Sequence, residues 1–165
     1  MFIEKAIEKM KHIFKDAPYG IDHTEKVLQY AQEIIDGEKA EENREIVSVS
    51  AVLHDIGTLE AQRKHGTMAA PYQEIEGEII AREILTDISY DIGKINRVCY
   101  IVGNHHTQSK IDGLDFQILW EADLIANMEH QDLCSDIDKL RQQIDISFKT
   151  YTGRNIAYSK FCTKK

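Results

Sequence analysis

The most apolar stretch of this sequence reads Ile46-Val-Ser-Val-Ser-Ala-Val-Leu-His-Asp-Ile-Gly57. The alternation of Val and Ser allows a β-strand, but charged helix formers precede the stretch and a glycine ends it. We interpret it as a helix that is buried on nearly all sides. An unpaired carboxylate at the end of such a helix is unfavourable, because it is desolvated and lies near the negative end of the helix dipole. The His54-Asp55 pair at this helix end therefore needs an explanation.

Apolar residues at helical spacing recur on both sides of this stretch. They predict helices over residues 2–15, 22–37, 42–56, 73–86, 91–104, 114–129 and 152–161, and a further stripe of Leu133, Ile137, Leu140 and Ile144. Asp22 is a candidate N-cap for the second helix, and Gly37 is expected to close it. The fold class predicted from this pattern is all-α, a compact bundle of about seven or eight helices.

Two predictions concern the region between residues 58 and 86. Residues 58–72 contain Gly66 and Pro71 and are expected to form a loop. In the helix that follows, the apolar residues are expected to face the core; they are Ile75, Ile79, Ile80, Ile84 and Leu85.

Length and charge limit the class of protein. The chain has 165 residues, the size of one domain, and we expect a single domain over residues 1–165. Lys and Arg total 20 against 28 Asp and Glu, a net charge of −8. This acidity argues against polymeric nucleic acid or a membrane surface as the partner. It leaves room for a small phosphorylated substrate, because a metal ion supplies positive charge locally.

The N-terminus has no apolar signal-peptide region, and no apolar run approaches the ~18 residues of a membrane span. The three cysteines, Cys99, Cys134 and Cys162, are far apart and odd in number, so a disulfide framework is not expected. These features favour a cytoplasmic protein.

Several predicted helices carry a polar residue where the pattern predicts core; these are His23, His54, Asp55, His105, His106 and Asp123. Each has a simpler explanation alone: a hydrogen-bonded core histidine, an ion pair at a helix end, or an N-cap. Together they argue for a cation, because burying two carboxylates costs several kcal/mol each without one, and no Lys or Arg lies on these stripes. Two imidazoles and two carboxylates suit a divalent transition metal better than calcium.

Five segments carry these residues in a fixed order: Asp22-His23-Thr24, Ala51–Gly57, Glu76–Leu85, Asn104-His105-His106 and Glu121-Ala-Asp123. They resemble the motifs of the HD-domain superfamily of metal-dependent phosphohydrolases. The resemblance covers about residues 20–130 and leaves helices over 132–162 beyond it. It implies an all-α fold, a metal site of His23, His54, Asp55 and Asp123, and hydrolysis of a phosphoester, often of a nucleotide.

The sequence departs from the family pattern at three positions. Tyr72 and Gln73 stand where family members with two metals are expected to carry a histidine, which favours one divalent ion (Fe, Mn, Co, Ni, Zn or Mg). Thr58 stands where many members carry Lys or Glu, so a family catalytic acid or base does not transfer to that position.

Other candidates for catalysis and substrate binding lie near these motifs. His105 and His106 are candidates for phosphate contact or proton transfer, with helix capping as the alternative. Glu60 and Glu76 are candidate general acids. A basic group (Arg63, Lys64 and His65) is a candidate for binding substrate, with a solvated loop as the alternative.

The function favoured by the sequence is hydrolysis of a phosphomonoester or phosphodiester of a small molecule, with a nucleotide as the preferred class. The alternative is a non-catalytic helical module that binds a nucleotide or metabolite and holds a structural metal. A metal-dependent oxygenase on the same scaffold is disfavoured by Gln73. The exposed faces read as charged and mixed, so no dimer surface is apparent.

Overall fold

The computed structural model describes residues 2–131 and 136–163, and every regular element among them is helical. The α-helices are α1 (Phe2–Ile13), α2 (Pro18–Glu38), α3 (Arg44–Leu53), α4 (Thr58–His65), α5 (Ala70–Asp87), α6 (Ile92–Val102), α7 (Leu114–Met128), α8 (Ile137–Ser147) and α9 (Tyr151–Phe161). Short 3₁₀ helices cover Glu41–Asn43 and Gln108–Lys110. The predicted all-α class is confirmed. Leu133 of the predicted stripe lies outside the described residues.

Helix α2 differs from the prediction at both ends. It begins at Pro18, whose fixed φ angle suits the first turn, so Asp22 lies inside the helix and is not its N-cap. It continues through Gly37 to Glu38, and Lys39 adopts the left-handed conformation that ends it (φ 56°). Gly37 is required for packing: a Cβ there would lie 2.3 Å from Oγ1 of Thr152.

The loop predicted over residues 58–72 is wrong, because α4 and the first turn of α5 occupy most of it. Gly66 adopts a left-handed conformation directly after α4 (φ 69°). Pro71 lies in the first turn of α5, where a missing N–H costs nothing. Gly66 therefore marks the end of α4 and Pro71 the start of α5, and only a short connection separates the two helices.

Helix α3 lies at the centre of the fold. It packs against α1, α2, α6 and α7, and all of its residues from Val47 to Leu53 are buried, as predicted for a helix apolar on nearly all sides. Val47 and Ala51 belong to one hydrophobic cluster, which includes residues of α2 and α7, whereas Val49 and Val52 belong to a second, with residues of α1 and α6. The C-terminal end of α3 is therefore surrounded by protein, and His54, which follows it, is fully buried.

Helix α5 contradicts the predicted core face. Ile75 and Ile79 are 55% and 47% exposed, although the sequence pattern places them in the core. Ile84 and Leu85 are buried as predicted. The difference arises because α5 packs against α4 and α6 on the opposite side, through a face that includes Glu76 and Gly77.

In the described parts of the chain, no helix is long and apolar enough to cross a bilayer. Cys99 and Cys162 are buried free thiols, and Cys134 lies outside the described residues.

A buried carboxylate joins the C-terminal helices to α7. Glu121 has no exposed surface and accepts hydrogen bonds from the backbone N–H groups of Lys149 (2.6 Å) and Thr150 (2.9 Å) and from Nε2 of Gln117 (2.7 Å). The Thr150 hydroxyl also donates to it, and accepts from the N–H of Gly153 at the start of α9 (2.9 Å). Glu121 thus holds the turn between α8 and α9 against the core.

We expect Glu121→Gln to lower the free energy of unfolding by about 2–4 kcal/mol, because an amide N–H₂ replaces an acceptor that faces several donors. Urea unfolding followed by circular dichroism measures the change. The exposed Glu8→Gln is the control and should stay within about 0.5 kcal/mol of the parent. Equal effects of the two substitutions would contradict the anchoring role of Glu121.

Candidate metal centre

Four polar side chains from separate parts of the chain meet beside the end of α3: His23 from α2, His54 and Asp55 from the turn after α3, and Asp123 from α7. His23 Nε2 lies 3.2 Å from His54 Nε2 and 3.1 Å from Asp123 Oδ1. Asp55 Oδ2 lies 3.4 Å from His23 Nε2 and 3.3 Å from His54 Nε2. The structure therefore brings together the four residues that the sequence motifs single out as metal ligands.

These separations suit a shared ion. Ligand atoms that each lie about 2.1 Å from one ion are about 3.0 to 3.4 Å apart when the angle between them is about 90° to 110°. His23, His54 and Asp55 satisfy the distance requirement for a metal site together. Asp123 Oδ1 lies next to the two imidazoles of the cluster, 3.1 Å from His23 Nε2 and 3.7 Å from His54 Nε2.

The hydrogen bonds around His54 orient its ligand atom. Its Nδ1 lies 2.8 Å from the carbonyl oxygen of Ala51, which only accepts, so Nδ1 carries a proton. In the neutral imidazole, Nε2 then presents a lone pair to His23, Asp55 and Asp123. A hydrogen bond from the second ring nitrogen to a backbone carbonyl is the usual support of a metal-binding histidine.

The electrostatics of the cluster also call for a cation. Burial on its own disfavours the imidazolium, but Asp55 and Asp123 outweigh it and raise the pKa of His54 to about 9. Burial on its own would raise the pKa of the Asp55 carboxyl, but His54 and His105 hold it well below its usual value. Asp123 behaves in the same way, with His23 as the main opposing group. Both carboxylates stay ionised, and positive charge on His54 is stabilised.

A residue that the sequence analysis missed orients Asp123. Asn127, one turn further along α7, donates from Nδ2 to Asp123 Oδ1 at 2.9 Å. The sequence does contain a signal for this contact: Asn127 follows Asp123 by four residues, and residues four apart on a helix lie on the same face.

His105 and His106 lie at the edge of the cluster. Nδ1 of His105 donates to the carbonyl oxygen of Val102 at 2.7 Å, and its buried Nε2 makes no hydrogen bond but lies 3.4 Å from Asp55 Oδ1. Asp55, His105 and His106 form a second group whose ligand atoms are close enough to hold an ion. His105 is therefore more than a helix cap, because its second nitrogen faces the site.

Gln73 contacts His106 from α5. Gln73 Oε1 accepts a hydrogen bond from Thr58 Oγ1 (3.0 Å), and its Nε2 donates to the carbonyl oxygen of Met68. Oε1 also lies 3.4 Å from His106 Nε2. Because Oε1 is an acceptor, this contact favours the tautomer of His106 with a proton on Nε2. Two of the three positions at which the sequence departs from the family pattern, Thr58 and Gln73, are thus bonded to each other.

The close approach of α5 depends on Gly57. A Cβ on Gly57 would lie 2.3 Å from the backbone nitrogen of Gly77 and 2.4 Å from the carbonyl oxygen of Gln73. Glu74, on the same helix, accepts from the backbone N–H of His106 at 2.9 Å and from Oγ1 of Thr107 at 3.1 Å. Backbone contact at Gly57 therefore lets α5 hold the loop that carries His106.

The remaining candidates form a separate charged group on α4 and α5. Arg63 binds Glu60 through two hydrogen bonds of 2.7 Å, whereas Lys64 (2.7 Å) and His65 (2.9 Å) bind Glu76. The bond to Arg63 lowers the pKa of Glu60 to about 2, and the bond to Lys64 lowers that of Glu76. A carboxylate with so low a pKa holds no proton at neutral pH, so this environment does not suit a general acid.

Because the pKa of His54 is about 9, this imidazole binds a proton at neutral pH when no metal is present. A metal ion must displace that proton, so the apparent dissociation constant should fall about tenfold for each unit of rising pH and level off above the pKa. Titration calorimetry in buffers of different ionisation enthalpy measures both the affinity and the number of protons released. An affinity that does not change with pH would contradict this competition.

Comparisons with known proteins agree with this geometry. A search of protein-family models matches residues 20–145 to the HD domain, a range that contains all four residues of the cluster. The structure is similar to the crystal structure of a predicted HD superfamily hydrolase from an uncultured Thermotogales bacterium. The TM-score is 0.69 at 24% sequence identity, over 96% of this chain and 84% of that one. No protein of curated function matches the sequence. The solved structure shows a shared fold, and the family match spans most of the sequence: the chain belongs to the HD domain family.

Proposed function

We propose that this HD domain is a metal-dependent phosphohydrolase that acts on a phosphomonoester or phosphodiester of a small molecule, with a nucleotide as the preferred class. The observation that carries the proposal is the convergence of His23, His54, Asp55 and Asp123 on one point that solvent reaches. The side chains of Asp55 and Asp123 are 23% and 15% exposed. Structural metal sites are closed by their protein ligands, whereas catalytic sites keep an open position.

The four residues would hold one divalent ion with two imidazole nitrogens and two carboxylates, a set suited to Mn, Fe, Co, Ni or Zn. An ion held there would act as a Lewis acid and would lower the pKa of a bound water toward neutrality. The two carboxylates balance the charge of a divalent ion, so the site as a whole becomes close to neutral. An anionic phosphate then meets less repulsion than the net charge of −8 suggests.

His106 is our candidate for contact with the substrate. It reaches solvent, and partial desolvation of its ring, followed by the charge of the neighbouring His105, lowers its pKa, so it is neutral at physiological pH. Its Nε2–H faces Gln73 across a long 3.4 Å contact, which a phosphoryl or leaving-group oxygen can replace. We propose that His106 donates this hydrogen bond to the substrate in place of Gln73, and that Glu74, which accepts from the backbone N–H of His106, keeps the residue in position.

Arg63, Lys64 and His65 remain candidates for substrate contact, but the mechanism does not require them. Their charges are matched by Glu60 and Glu76. For the same reason we assign no proton transfer to those two carboxylates.

Turnover tests the proposal. Protein loaded separately with Mn, Co and Ni should hold one ion per chain and hydrolyse at least one substrate among p-nitrophenyl phosphate, bis-p-nitrophenyl phosphate and a panel of nucleotides. His54→Ala should lose metal and turnover together, because it removes the buried ligand. The exposed His12→Ala is the matched control and should keep both. Asp55→Asn, which preserves side-chain volume, replaces His54→Ala if that variant does not fold.

The alternative function, a regulatory module with a structural metal, predicts a different result. Such a module would bind metal and a nucleotide without turnover in any metal form. Wild-type protein that holds no stoichiometric metal after reloading would overturn both functions.

His106→Ala should lower kcat by about a hundredfold or more, because removing one positioned hydrogen-bond donor to an oxygen that gains negative charge typically costs that much. Its metal content, measured by elemental analysis, should equal that of the parent, since His106 is outside the four-residue cluster. A parent-like kcat would show that His106 does not act on the substrate.

A further inference from the structure

Two aromatic residues lie one helical turn before residues of the metal cluster. Tyr19 precedes His23 by four residues on α2, and Trp120 precedes Asp123 by three residues on α7. Residues three or four apart on a helix lie on the same face, so each aromatic residue is the neighbour of a candidate metal ligand. Neither residue holds the metal, and their place beside its ligands therefore needs another explanation.

Helices α2 and α7 run in the same direction, which brings the two aromatic residues to the same end of the cluster. His23 Nε2 lies 3.1 Å from Asp123 Oδ1, and further along both helices Lys26 Nζ binds Glu129 at 2.7 Å. The contacts therefore advance together from the N-terminal to the C-terminal end of each helix. The turn before His23 and the turn before Asp123 lie side by side, about 5.4 Å from the cluster along the helices.

Tyr19 lies on the side of α2 that meets α7. The spacing of Tyr19, His23, Lys26 and Tyr30 by four, three and four residues places them on one helix face. The last three all contact α7 or the residue that ends it, because the Tyr30 hydroxyl, like Lys26, binds Glu129. Tyr19 itself is 54% exposed, so its ring is accessible to a molecule bound at the cluster.

Trp120 is only partly buried, and it is absent from both hydrophobic clusters that make up the core of the described residues. Its indole Nε1–H is buried and has no hydrogen-bond partner within the described parts of the chain. Because Nε1 is the only polar atom of this side chain, the part that solvent reaches is aromatic carbon. Apolar and aromatic surface beside a few polar groups is typical of a small-molecule site.

The opposite end of the cluster along these helices is polar. There Asn127 donates to Asp123, and Glu129 binds both Lys26 and Lys160, the latter at 3.0 Å. These charged groups already satisfy one another. The apolar part of a substrate is therefore better accommodated at the end that carries the two aromatic residues.

We propose that Tyr19 and Trp120 bind the base of a nucleotide substrate by stacking, and that they select nucleotides over phosphoesters that have no ring. The inference rests on the proposed function, in which the phosphoryl group binds at the metal. One helical turn is close to the length of the sugar that joins the phosphate to the base. Every base has a π face, so stacking on aromatic side chains accepts all four bases without distinguishing them.

Fluorescence tests this contact directly, because Trp120 is the only tryptophan of the chain. Zinc-loaded protein is titrated with AMP, GMP, CMP and UMP, and each should change the emission of Trp120. Ribose 5-phosphate has the same phosphoester but no base, and it should leave the emission unchanged. It should also compete with AMP only at concentrations higher by about tenfold or more, since stacking on an aromatic side chain contributes at least that much.

Substitutions separate stacking from a structural role. Tyr19→Ala should weaken AMP binding by about tenfold or more, whereas Tyr19→Phe should keep the parent affinity because a phenyl ring stacks equally well. Trp120→Ala, measured by titration calorimetry, should weaken AMP binding in the same way. Neither alanine variant should change the affinity for ribose 5-phosphate or the metal content. Tyr151→Ala is the matched control: this tyrosine is 77% exposed on α9, and its loss should change nothing.

Two results would overturn the inference: nucleotides that leave the emission of Trp120 unchanged, or alanine variants that weaken ribose 5-phosphate as much as AMP. Equal turnover of ribose 5-phosphate and nucleotides, without a change in emission, would keep the hydrolase and reject the stacking. Nucleotides that change the emission but are hydrolysed in no metal form would support the stacking and reject the proposed hydrolysis.

Discussion

Two carboxylates and two imidazoles that meet inside a protein repel one another, or face each other as acceptors, unless a cation lies between them. The structure around the end of α3 depends on this constraint. His54 is fully buried, its outer nitrogen is bonded to a backbone carbonyl, and its inner nitrogen lies within 3.7 Å of His23, Asp55 and Asp123. The pKa of His54 is raised and the pKa values of both carboxylates are lowered because positive charge is stabilised among these side chains. A proton on His54 meets the need for a cation in part, and a divalent ion held by the four residues would meet it fully.

The rest of the site is arranged by the contact between α4 and α5. Gly57 allows the backbone at the start of α4 to touch α5 at Gln73 and Gly77, where a Cβ on Gly57 would collide. Gln73 and Glu74 consequently reach the loop that carries His106. The ion pairs of Lys64 and His65 with Glu76 join the other end of α4 to the same helix. Three residues that the sequence offers as candidates for substrate binding or acid–base catalysis thus hold α4 and α5 together; they are Lys64, His65 and Glu76.

The two sides of helix α5 differ. One side supports the candidate active site, through Gln73 and Glu74. The other side carries Ile75 and Ile79, which stay exposed because α5 packs against α4 and α6 through its opposite face.

Much of the fold and the metal cluster could be predicted from the sequence, because both depend on local patterns. Apolar spacing identified most helices. Polar residues on apolar stripes identified six candidates, and the resemblance to the HD-domain superfamily selected four of them as candidate metal ligands: His23, His54, Asp55 and Asp123. The sequence could not show which side of α5 is buried, because Ile75 and Ile79 satisfy the helical pattern as well as Ile84 and Leu85 do. It could not show that Glu60 and Glu76 are paired with basic residues, since those pairs form only when α4 and α5 pack. The sequence by itself determined the helical class and, through the resemblance to a known family, the four candidate metal ligands, because periodicity and residue order are properties of the chain. Only the tertiary structure decided the supporting contacts and which side of α5 is exposed, because these depend on which helix faces meet.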